Sequence, residues 1–435
     1  MTTKYALTLA LTGALCACGD NEPAPTPVDD TSTSARITRP TLEGRAVLPA
    51  LTFAAGPPAG TRLSGDPAPA PPNTINGVPI PFASQPVQGF SAIIEGDGDT
   101  FWAMPDNGFG RRENSDDFLL RVYQVRPSFK TRQGGSGAVG VAGFVSLRDP
   151  DHRIDFPITN QAHSARLLTG ADLDPESLRR APDGSLWFGE EFGPFLVHTD
   201  ASGVVLEAPI ELPDSDSPSG VVRSPQNLRL QPGEVPTIDR SSGIEGLGQW
   251  RHLLYPMLEG PLNKDVDAGD ARLRRIYEYD TAARRYTGRT FKYRTRDDFM
   301  SVHDLTAIDQ HRMLVTETDD NEGAVLLSDP ARHKKIYRID LRRTDAAGIL
   351  IKEEVVDLVN IADPDRLSLP GRPGDVGLGD PFAFPFITIE GVLPLGGNRL
   401  LVSNDNNLPS SLGRNPALPD NNELIVIKVP GLPGN

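Results

Sequence analysis

Residues 176–200, ESLRRAPDGSLWFGEEFGPFLVHTD, contain the pattern on which the prediction of the fold depends. Glu176 opens a short apolar segment, and a second apolar segment ends at Glu190, 14 positions later. Pro182-Asp183-Gly184 between them is a hairpin signal. The following LVHTD alternates apolar and polar side chains, as a strand with one buried face does. The segment therefore predicts short consecutive strands joined by tight turns.

The same pattern occurs five times along the chain. Each copy begins with a polar or acidic residue before an apolar segment and ends with Asp, Glu or Asn 13 to 15 positions later. The paired positions are Ser91 and Asp106, Glu176 and Glu190, Glu245 and Glu259, Asp304 and Glu317, and Glu390 and Asn404.

Repeated sheets without crossover helices are typical of a β-propeller. Successive copies start 85, 69, 59 and 86 residues apart, which is long for one blade. We therefore expect an all-β, single-domain β-propeller with six blades, of which five repeat copies are visible.

The composition narrows the function classes. The 435 residues carry a formal net charge of −15, which argues against binding to nucleic acid or to an anionic membrane surface. The 42 Gly and 41 Pro predict many turns and few long helices. Outside the N-terminus, no apolar run approaches the length of a membrane-spanning helix.

The N-terminus has the features of a targeting segment: Lys4 is followed by an apolar run and small residues. Leu15-Cys16-Ala17-Cys18 resembles the lipobox of bacterial lipoproteins, with Cys18 as the lipidated residue; the alternative is an ordinary cleaved signal peptide. We therefore expect a signal peptide over 1–17, a disordered Pro/Thr/Ser-rich tether over 18–45 and the propeller over 46–435. The mature protein would be held at the bacterial cell envelope, on its periplasmic or extracellular face.

In a propeller, the repeated acids converge near the central axis. Buried carboxylates repel one another and need Arg, Lys, shared protons or cations. Oxygen-only ligands suit Ca²⁺, or Mg²⁺, better than zinc. The alternative is that these acids only bind backbone amides and tie the blades together. The candidate metal ligands are Asp106, Asn107, Glu176, Glu190, Glu191, Glu245, Glu259, Asp304, Glu317, Glu390, Asn404 and Asp405.

Two further groups of residues have candidate roles. His303 is the one histidine expected near the axis, because it precedes a repeat position. Arg179 and Arg180 follow Glu176 and would either hold a phosphate or carboxylate of the substrate or pair with the central acids.

Several ordered segments also carry a family resemblance: DGDTFWAMPDNGFG, DLDPESLRRAPDGSLWFGEEFGPFLVHTDASG, GIEGLGQW with LLYPMLEGPL, and KKIYRIDL. Over residues 46–430 the chain resembles the bacterial phytase-like family, "esterase-like activity of phytase". The resemblance implies hydrolysis of phosphoesters, or of carboxylic esters, by a water activated by divalent cations. It also implies phosphate contacts from Arg179, Arg180 or Lys264. No catalytic side chain is identified beyond the candidates Glu190 and His303.

Two other hypotheses remain open. One is a lactone or carboxylic ester hydrolase with one cation held by Asn107, Glu190, Glu245 and Asn404. The other is a non-catalytic envelope binding module in which the acids are structural. We expect a monomer, a small ester or phosphoester as ligand, membrane attachment through Cys18, and no nucleic-acid partner.

Overall fold

The computed structural model describes residues 39–63, 73–217, 220–323 and 332–432, all within the compact unit Ile37–Asn435. Cys16, Cys18 and the expected signal peptide lie outside these residues. The described part of the chain contains no helix with the length and apolar character needed to cross a bilayer.

Twenty of the strands form five four-stranded units, which we number as sheets I to V in the order of their first strands. Sheet I contains β6 (Phe90–Glu95), β7 (Phe101–Pro105), β8 (Arg121–Ser128) and β9 (Ala138–Ser146). Sheet II contains β10 (Pro175–Arg180), β11 (Leu186–Glu190), β12 (Phe195–Thr199) and β13 (Ile210–Glu211). Sheet III contains β14 (Ile244–Trp250), β15 (Leu253–Leu258), β16 (Leu273–Asp280) and β17 (Arg285–Arg294). Sheet IV contains β18 (Ser301–Ala307), β19 (Arg312–Thr318), β20 (Lys334–Thr344) and β21 (Leu350–Asp357). Sheet V contains β22 (Gly391–Gly396), β23 (Arg399–Ser403), β24 (Asn422–Lys428) and β1 (Thr41–Leu48).

The remaining elements are short. They are β2 (Phe53–Ala54), β3 (Thr74–Ile75), β4 (Val78–Pro79), β5 (Gln85–Pro86), the helix α1 (Asn263–Asp267) and a 3-10 turn (Arg112–Asn114). Strands dominate because the apolar segments are brief and alternate, and turn residues separate them.

Sheet V combines the two ends of the described chain. The N-terminal strand β1 pairs antiparallel with the C-terminal strand β24, from Thr41 opposite Lys428 to Leu48 opposite Asn422. β1 also touches β9 in parallel at one residue pair, which joins sheets V and I in one hydrogen-bonded order. The first strand thus starts inside the segment assigned to the tether, because its alternate residues are buried against sheet V.

The first strands of successive sheets lie beside one another. β6 contacts β10, β10 contacts β14, β14 contacts β18, β18 contacts β22, and β22 contacts β6. Apolar side chains fill the spaces between sheets: Met104 and Phe188 lie in one cluster between sheets I and II, and Met257 and Val315 in another between III and IV. The predicted all-β propeller architecture is confirmed.

Candidate metal centre

Each first strand carries a local irregularity at the same position. In four sheets, the second or third residue of the first strand is left out of the pairing register as a β-bulge; these residues are Ser91, Glu176, Glu245 and His303. In sheet V, the backbone N–H of Glu390 and the adjacent Gly391 both pair with Ser403. A bulge re-aims the side chain of its extra residue. The five bulged positions therefore form one set, with one residue from each sheet.

The second strands supply a matching set at their ends. Asp106, Glu191 and Glu259 each directly follow the second strand of sheets I, II and III; Thr318 ends that of sheet IV, and Asp405 lies two residues beyond that of sheet V. Since adjacent antiparallel strands place the start of one beside the end of the other, the two sets meet at one edge of the first strands.

These positions come together as one group of acids around a histidine. Three sets of ligand atoms lie within 4.8 Å of one another: Asp106, Asp174 and Glu176; Glu176, Glu191 and Glu245; and Glu245, His303 and Glu390. Because Glu176 and Glu245 each belong to two sets, the three sets are contiguous. The central acid cluster is defined as Asp106, Asp174, Glu176, Glu191, Glu245, Glu390 and Asp405, together with His303.

Asp405 joins the cluster through its neighbours. After burial, the charges of Asp106 and Glu390 are the main causes that raise the pKa of Asp405. A Cβ atom on Gly89 would lie 3.1 Å from Asp106 Oδ1 and 3.3 Å from Asp405 Oδ1. Gly89 has a φ of +66°, so this position both favours glycine and leaves space between the two carboxylates.

Burial makes the cluster electrostatically unusual. Apart from Asp106, which is partly buried, none of its acids exposes more than 8% of its surface. Burial, reinforced by the neighbouring carboxylates, raises the pKa of Asp106, Glu176, Glu191, Glu245 and Asp405 well above the usual range. Burial also raises the pKa of Asp174 to about 6, although hydrogen bonds partly offset the effect. Several of these groups therefore cannot ionise together at neutral pH without added positive charge.

His303 is the only salt-bridge partner of these acids among the described residues. Its Nδ1 lies 3.2 Å from Glu245 and 3.5 Å from Glu390, and its Nε2 lies 2.8 Å from Thr318 Oγ1. One imidazole cannot neutralise the whole cluster. Three buried atoms at these positions, Ser91 Oγ, Glu191 Oε1 and Glu390 Oε2, have no hydrogen-bond partner in the described part of the chain.

Four of the predicted ligands use their side chains elsewhere. Glu190 accepts the backbone N–H groups of the turn that follows it, and burial raises its pKa to about 8. Asn107 and Asn404 are occupied by backbone groups and, for Asn107, by Asp174. Glu317 faces Lys352, His333 and Tyr293, and these partners outweigh burial and lower its pKa to about 2. Glu259 lies at the edge of the cluster, where its charge acts on Glu191 and Glu245.

Asp304, the predicted first acid of the fourth repeat copy, lies outside the central acid cluster. Its carboxylate accepts hydrogen bonds from Arg179 at 2.9 Å and from the backbone N–H of Val392 at 2.9 Å. The bulge in β18 puts His303, one residue earlier, at the position that glutamate occupies in sheets II, III and V. A bulged residue has no signature in this sequence, so His303 was predicted to lie near the axis and named as a catalytic candidate, but it was not placed in the repeated set of ligands. Asp174 was missed as a cluster member, since it precedes the repeat pattern by two residues.

The predicted substrate-binding cations lie apart from the acids of the cluster. Arg179 donates to Asp304, to the Leu305 carbonyl and to Thr306 Oγ1, so it ties sheet II to sheet IV. Arg180 is exposed at the other end of β10. Lys264 pairs with Asp214 and Asp216.

With this geometry in place, comparison with known proteins identifies the class. The chain belongs to the phytase-like family described as "esterase-like activity of phytase", which matches residues 85–408, more than half of its length. The resemblance predicted from the sequence is thereby confirmed. No curated protein matches the sequence.

Solved structures with a similar fold are distant. A luciferin-regenerating enzyme is 12% identical over 79% of this chain and 78% of that chain, with a TM-score of 0.33. The calcium-binding protein regucalcin from Agrobacterium tumefaciens is 11% identical over 79% of this chain and 92% of that chain, with a TM-score of 0.37. An exo-β-1,3-galactanase from Phanerochaete chrysosporium is 10% identical over 79% of this chain and 61% of that chain, with a TM-score of 0.38.

Proposed function

We propose that this protein is an ester hydrolase that depends on divalent cations held by the central acid cluster, with phosphoesters as the favoured substrates. One observation carries the proposal: the cluster gathers buried carboxylates from the sheets without an Arg or Lys partner in the described residues. Such an arrangement is unfavourable by itself, because buried acids that face one another must be protonated or paired. A cation would remove that penalty.

The side chains fit a hard cation. Most of the donors are carboxylate oxygens, which suit Ca²⁺ or Mg²⁺, and His303 is the one nitrogen donor among the three ligand sets. Glu191 Oε1 and Glu390 Oε2 are buried and have no hydrogen-bond partner among residues 39–63, 73–217, 220–323 and 332–432, so they are available as ligands. The space beside Gly89 leaves the carboxylates of Asp106 and Asp405 unobstructed. Calcium is the cation we favour.

The residues of the chain have separable roles in this proposal. Asp106, Asp174 and Glu176 would hold a cation at one end of the cluster, and Glu245, His303 and Glu390 at the other. A bound divalent cation would polarise the ester and make a water molecule easier to deprotonate. Thr318 and Glu245 orient the His303 ring through its two nitrogens. Glu190 shapes the turn after β11 through two backbone N–H groups.

We further propose that the propeller has five blades, one for each of sheets I to V, and that β1 closes the ring. The contact of β22 with β6 and the pairing of β1 with β24 support this number. The long intervals that favoured six blades contain loops, such as residues 358–389 between β21 and β22.

Attachment to the cell envelope also remains a proposal. It rests on the Leu15-Cys16-Ala17-Cys18 motif and the polar segment after it. In this arrangement a lipid on Cys18 would hold a monomeric propeller near a bacterial membrane, with its substrate delivered from the periplasmic or extracellular side.

The direct test is turnover with and without cations. Phosphate release from p-nitrophenyl phosphate should stop in excess chelator and return when Ca²⁺ or Mg²⁺ is restored. Full activity in excess chelator would overturn the proposed cation dependence. Cation-dependent hydrolysis of p-nitrophenyl acetate without phosphate release would instead assign the carboxylic ester alternative.

A further inference from the structure

The two ends of the central acid cluster offer different donor atoms. One ligand set contains only carboxylates and is called the carboxylate end; it consists of Asp106, Asp174 and Glu176. Another set adds an imidazole to two carboxylates and is called the imidazole end; it consists of Glu245, His303 and Glu390. Carboxylate oxygens suit hard cations such as Ca²⁺, whereas an imidazole nitrogen suits Zn²⁺ and similar transition-metal ions. The two ends should therefore select different cations.

The ring of His303 is held so that one nitrogen faces both glutamates of the imidazole end. Its Nδ1 lies 3.2 Å from Glu245 Oε1 and 3.5 Å from Glu390 Oε1. Its Nε2 lies 2.8 Å from the hydroxyl of Thr318 at the end of β19. A metal-ligating histidine usually has its second nitrogen hydrogen-bonded in this way, which fixes the ring. A proton on Nδ1 would be released when a metal ion takes its place.

The two glutamates have too few hydrogen-bond donors. Glu245 and Glu390 expose only 5% and 4% of their surface. Among the described residues, His303 is the only side chain that contacts either carboxylate as a hydrogen-bond or salt-bridge partner. Glu390 Oε2 is buried and has no partner in the same part of the chain. One imidazole thus serves two buried carboxylates, an arrangement that a divalent cation between the three side chains would stabilise.

A second buried histidine of this chain shows a different arrangement. His333 Nε2 lies 3.0 Å from Glu317 Oε1, and both residues are buried. Here, however, the glutamate also accepts hydrogen bonds from Lys352 Nζ and Tyr293 Oη, each at 2.6 Å. This pair is fully satisfied by protein groups, so it needs no metal ion. The shortage of donors at His303 is therefore specific to the cluster.

We propose that the central acid cluster holds two cations of different chemistry: Ca²⁺ at the carboxylate end and a first-row transition-metal ion such as Zn²⁺ at the imidazole end. This inference rests on the proposed function, since that function places cations at the cluster. Three protein ligands leave a coordination position open for a water molecule or a substrate oxygen, as in catalytic zinc sites. The imidazole end would then be the end at which the ester binds, and Thr318 would be its positioning residue.

The test is a calorimetric titration with Zn²⁺ of the full-length protein, first stripped by a chelator, then freed of the chelator and kept in excess Ca²⁺. One Zn²⁺ should bind per chain, and elemental analysis should find Ca²⁺ retained beside it. His303→Gln should weaken Zn²⁺ binding about a hundredfold and leave Ca²⁺ affinity unchanged, because it removes a ligand of the imidazole end only. Asp106→Asn should do the reverse.

Two threonines on β19 provide a matched pair. Thr318→Val removes the partner of His303 Nε2 and should weaken Zn²⁺ binding about tenfold. Thr316→Val changes a hydroxyl that is equally buried, two residues away on the same strand, and that has no hydrogen-bond partner among the described residues. It should leave Zn²⁺ binding unchanged. Thr318→Val also keeps the test informative if His303→Gln does not fold.

The remaining outcomes separate this inference from the function it rests on. Zn²⁺ binding that persists in His303→Gln and falls in His152→Gln, at an exposed histidine, would assign it to the surface and overturn the inference. Displacement of Zn²⁺ by Ca²⁺, one for one, would overturn it as well. Calcium-dependent ester hydrolysis without Zn²⁺ binding would reject the second site and retain the proposed function. Zn²⁺ binding through His303 and Ca²⁺ binding through Asp106, in a protein that hydrolyses no ester, would retain both sites and reject that function.

Discussion

Two regions of this protein bury glutamates in opposite ways. In sheet V, the fully buried Glu423 accepts two hydrogen bonds from Arg45 and two from Arg414, at 2.8 to 3.1 Å. Burial opposes ionisation there, but the two arginines outweigh it and lower the pKa of Glu423 to about 2. In the central acid cluster, the glutamates are also buried, but the only salt-bridge partner that the described residues give them is His303. Arginines therefore pair with the buried acid that joins strands in sheet V, whereas none of the described residues provides an arginine at the cluster.

The difference is what the proposed cation binding predicts, since the cluster would then take its positive charge from outside the described residues. Other buried structural acids follow the first pattern: Asp149 pairs with Arg166, and Asp304 with Arg179. The folded state depends on an acid paired in this way, because removing either partner leaves an uncompensated buried charge and lowers stability. An acid left unpaired lowers stability until a cation or a proton arrives.

The largest effect is expected at the paired acid. Glu423→Gln should lower the free energy of unfolding by about 3–5 kcal/mol at pH 7, because two buried arginines lose their counter-charge. Urea denaturation measures this change. The deficit relative to the unchanged protein should narrow as the pH falls from about 4.5 towards 2, where Glu423 itself takes up a proton. A loss below about 1 kcal/mol would show that the arginines are compensated in another way.

At the cluster, the corresponding change should act on cation binding. Without cations, Glu245→Gln should leave the protein as stable as before or more stable, because it removes one of several buried acids that repel one another. A cation at a hundred times its dissociation constant should add about 2.7 kcal/mol to the unchanged protein and much less to Glu245→Gln.

The matched control for this change is Glu278→Gln. Glu278 is as buried as Glu245 but pairs with Arg289 at 2.8 Å and with Thr287 at 2.9 Å. This variant should lose stability and keep the cation effect. Thermal melting with and without Ca²⁺ distinguishes the two. A Glu245→Gln protein that is destabilised without cations and still responds to Ca²⁺ would support the purely structural interpretation of the acids.

A third expectation concerns pH. Because the cluster acids have raised pKa values in the folded protein, the folded state holds more protons than the unfolded state above about pH 4.5. The cation-free protein should therefore lose stability from pH 5 to pH 8, and Ca²⁺ should stabilise it more at pH 8. Melting temperatures at the two pH values measure both effects. Equal calcium stabilisation at both values would contradict competition between cations and protons for these carboxylates.

The smallest effect is expected at Glu190. Its two carboxylate oxygens each accept one backbone N–H in a turn, and the amide of glutamine keeps one acceptor but replaces the other with a donor. Glu190→Gln should cost about 1 kcal/mol of stability and leave cation affinity unchanged. A tenfold loss of cation affinity in calorimetry would place Glu190 among the ligands.

Much of the fold was predictable because strands and turns are local. The hairpin at Pro182-Asp183-Gly184 and the alternating segments around it predicted the antiparallel strands of sheet II. The pairing of β1 with β24 joins residues more than 370 positions apart, and no local pattern indicates it. The contribution of Thr41–Leu48 to sheet V was therefore missed.

Part of the candidate site could be read from repetition in the sequence. Glu176, Glu245 and Glu390 were identified by repetition, and all three meet in the cluster. A bulge places His303, and not Asp304, at the cluster. The positively charged partners of Glu317 and Asp304 come from other strands, so the spacing in the sequence could not separate paired from unpaired acids. Whether a buried acid has a positively charged side chain beside it depends on how the sheets are assembled.

The most direct measurement is calcium binding by the purified, chelator-treated protein, followed by calorimetry at pH 7 and by elemental analysis of the reloaded protein. We expect at least one divalent cation per chain, with protons released on binding, and loss of that cation in the Glu176→Gln, Glu245→Gln double variant. A protein that binds neither Ca²⁺ nor Mg²⁺, or a double variant that binds as well as the unchanged protein, would contradict the assignment of the central acid cluster as a metal centre.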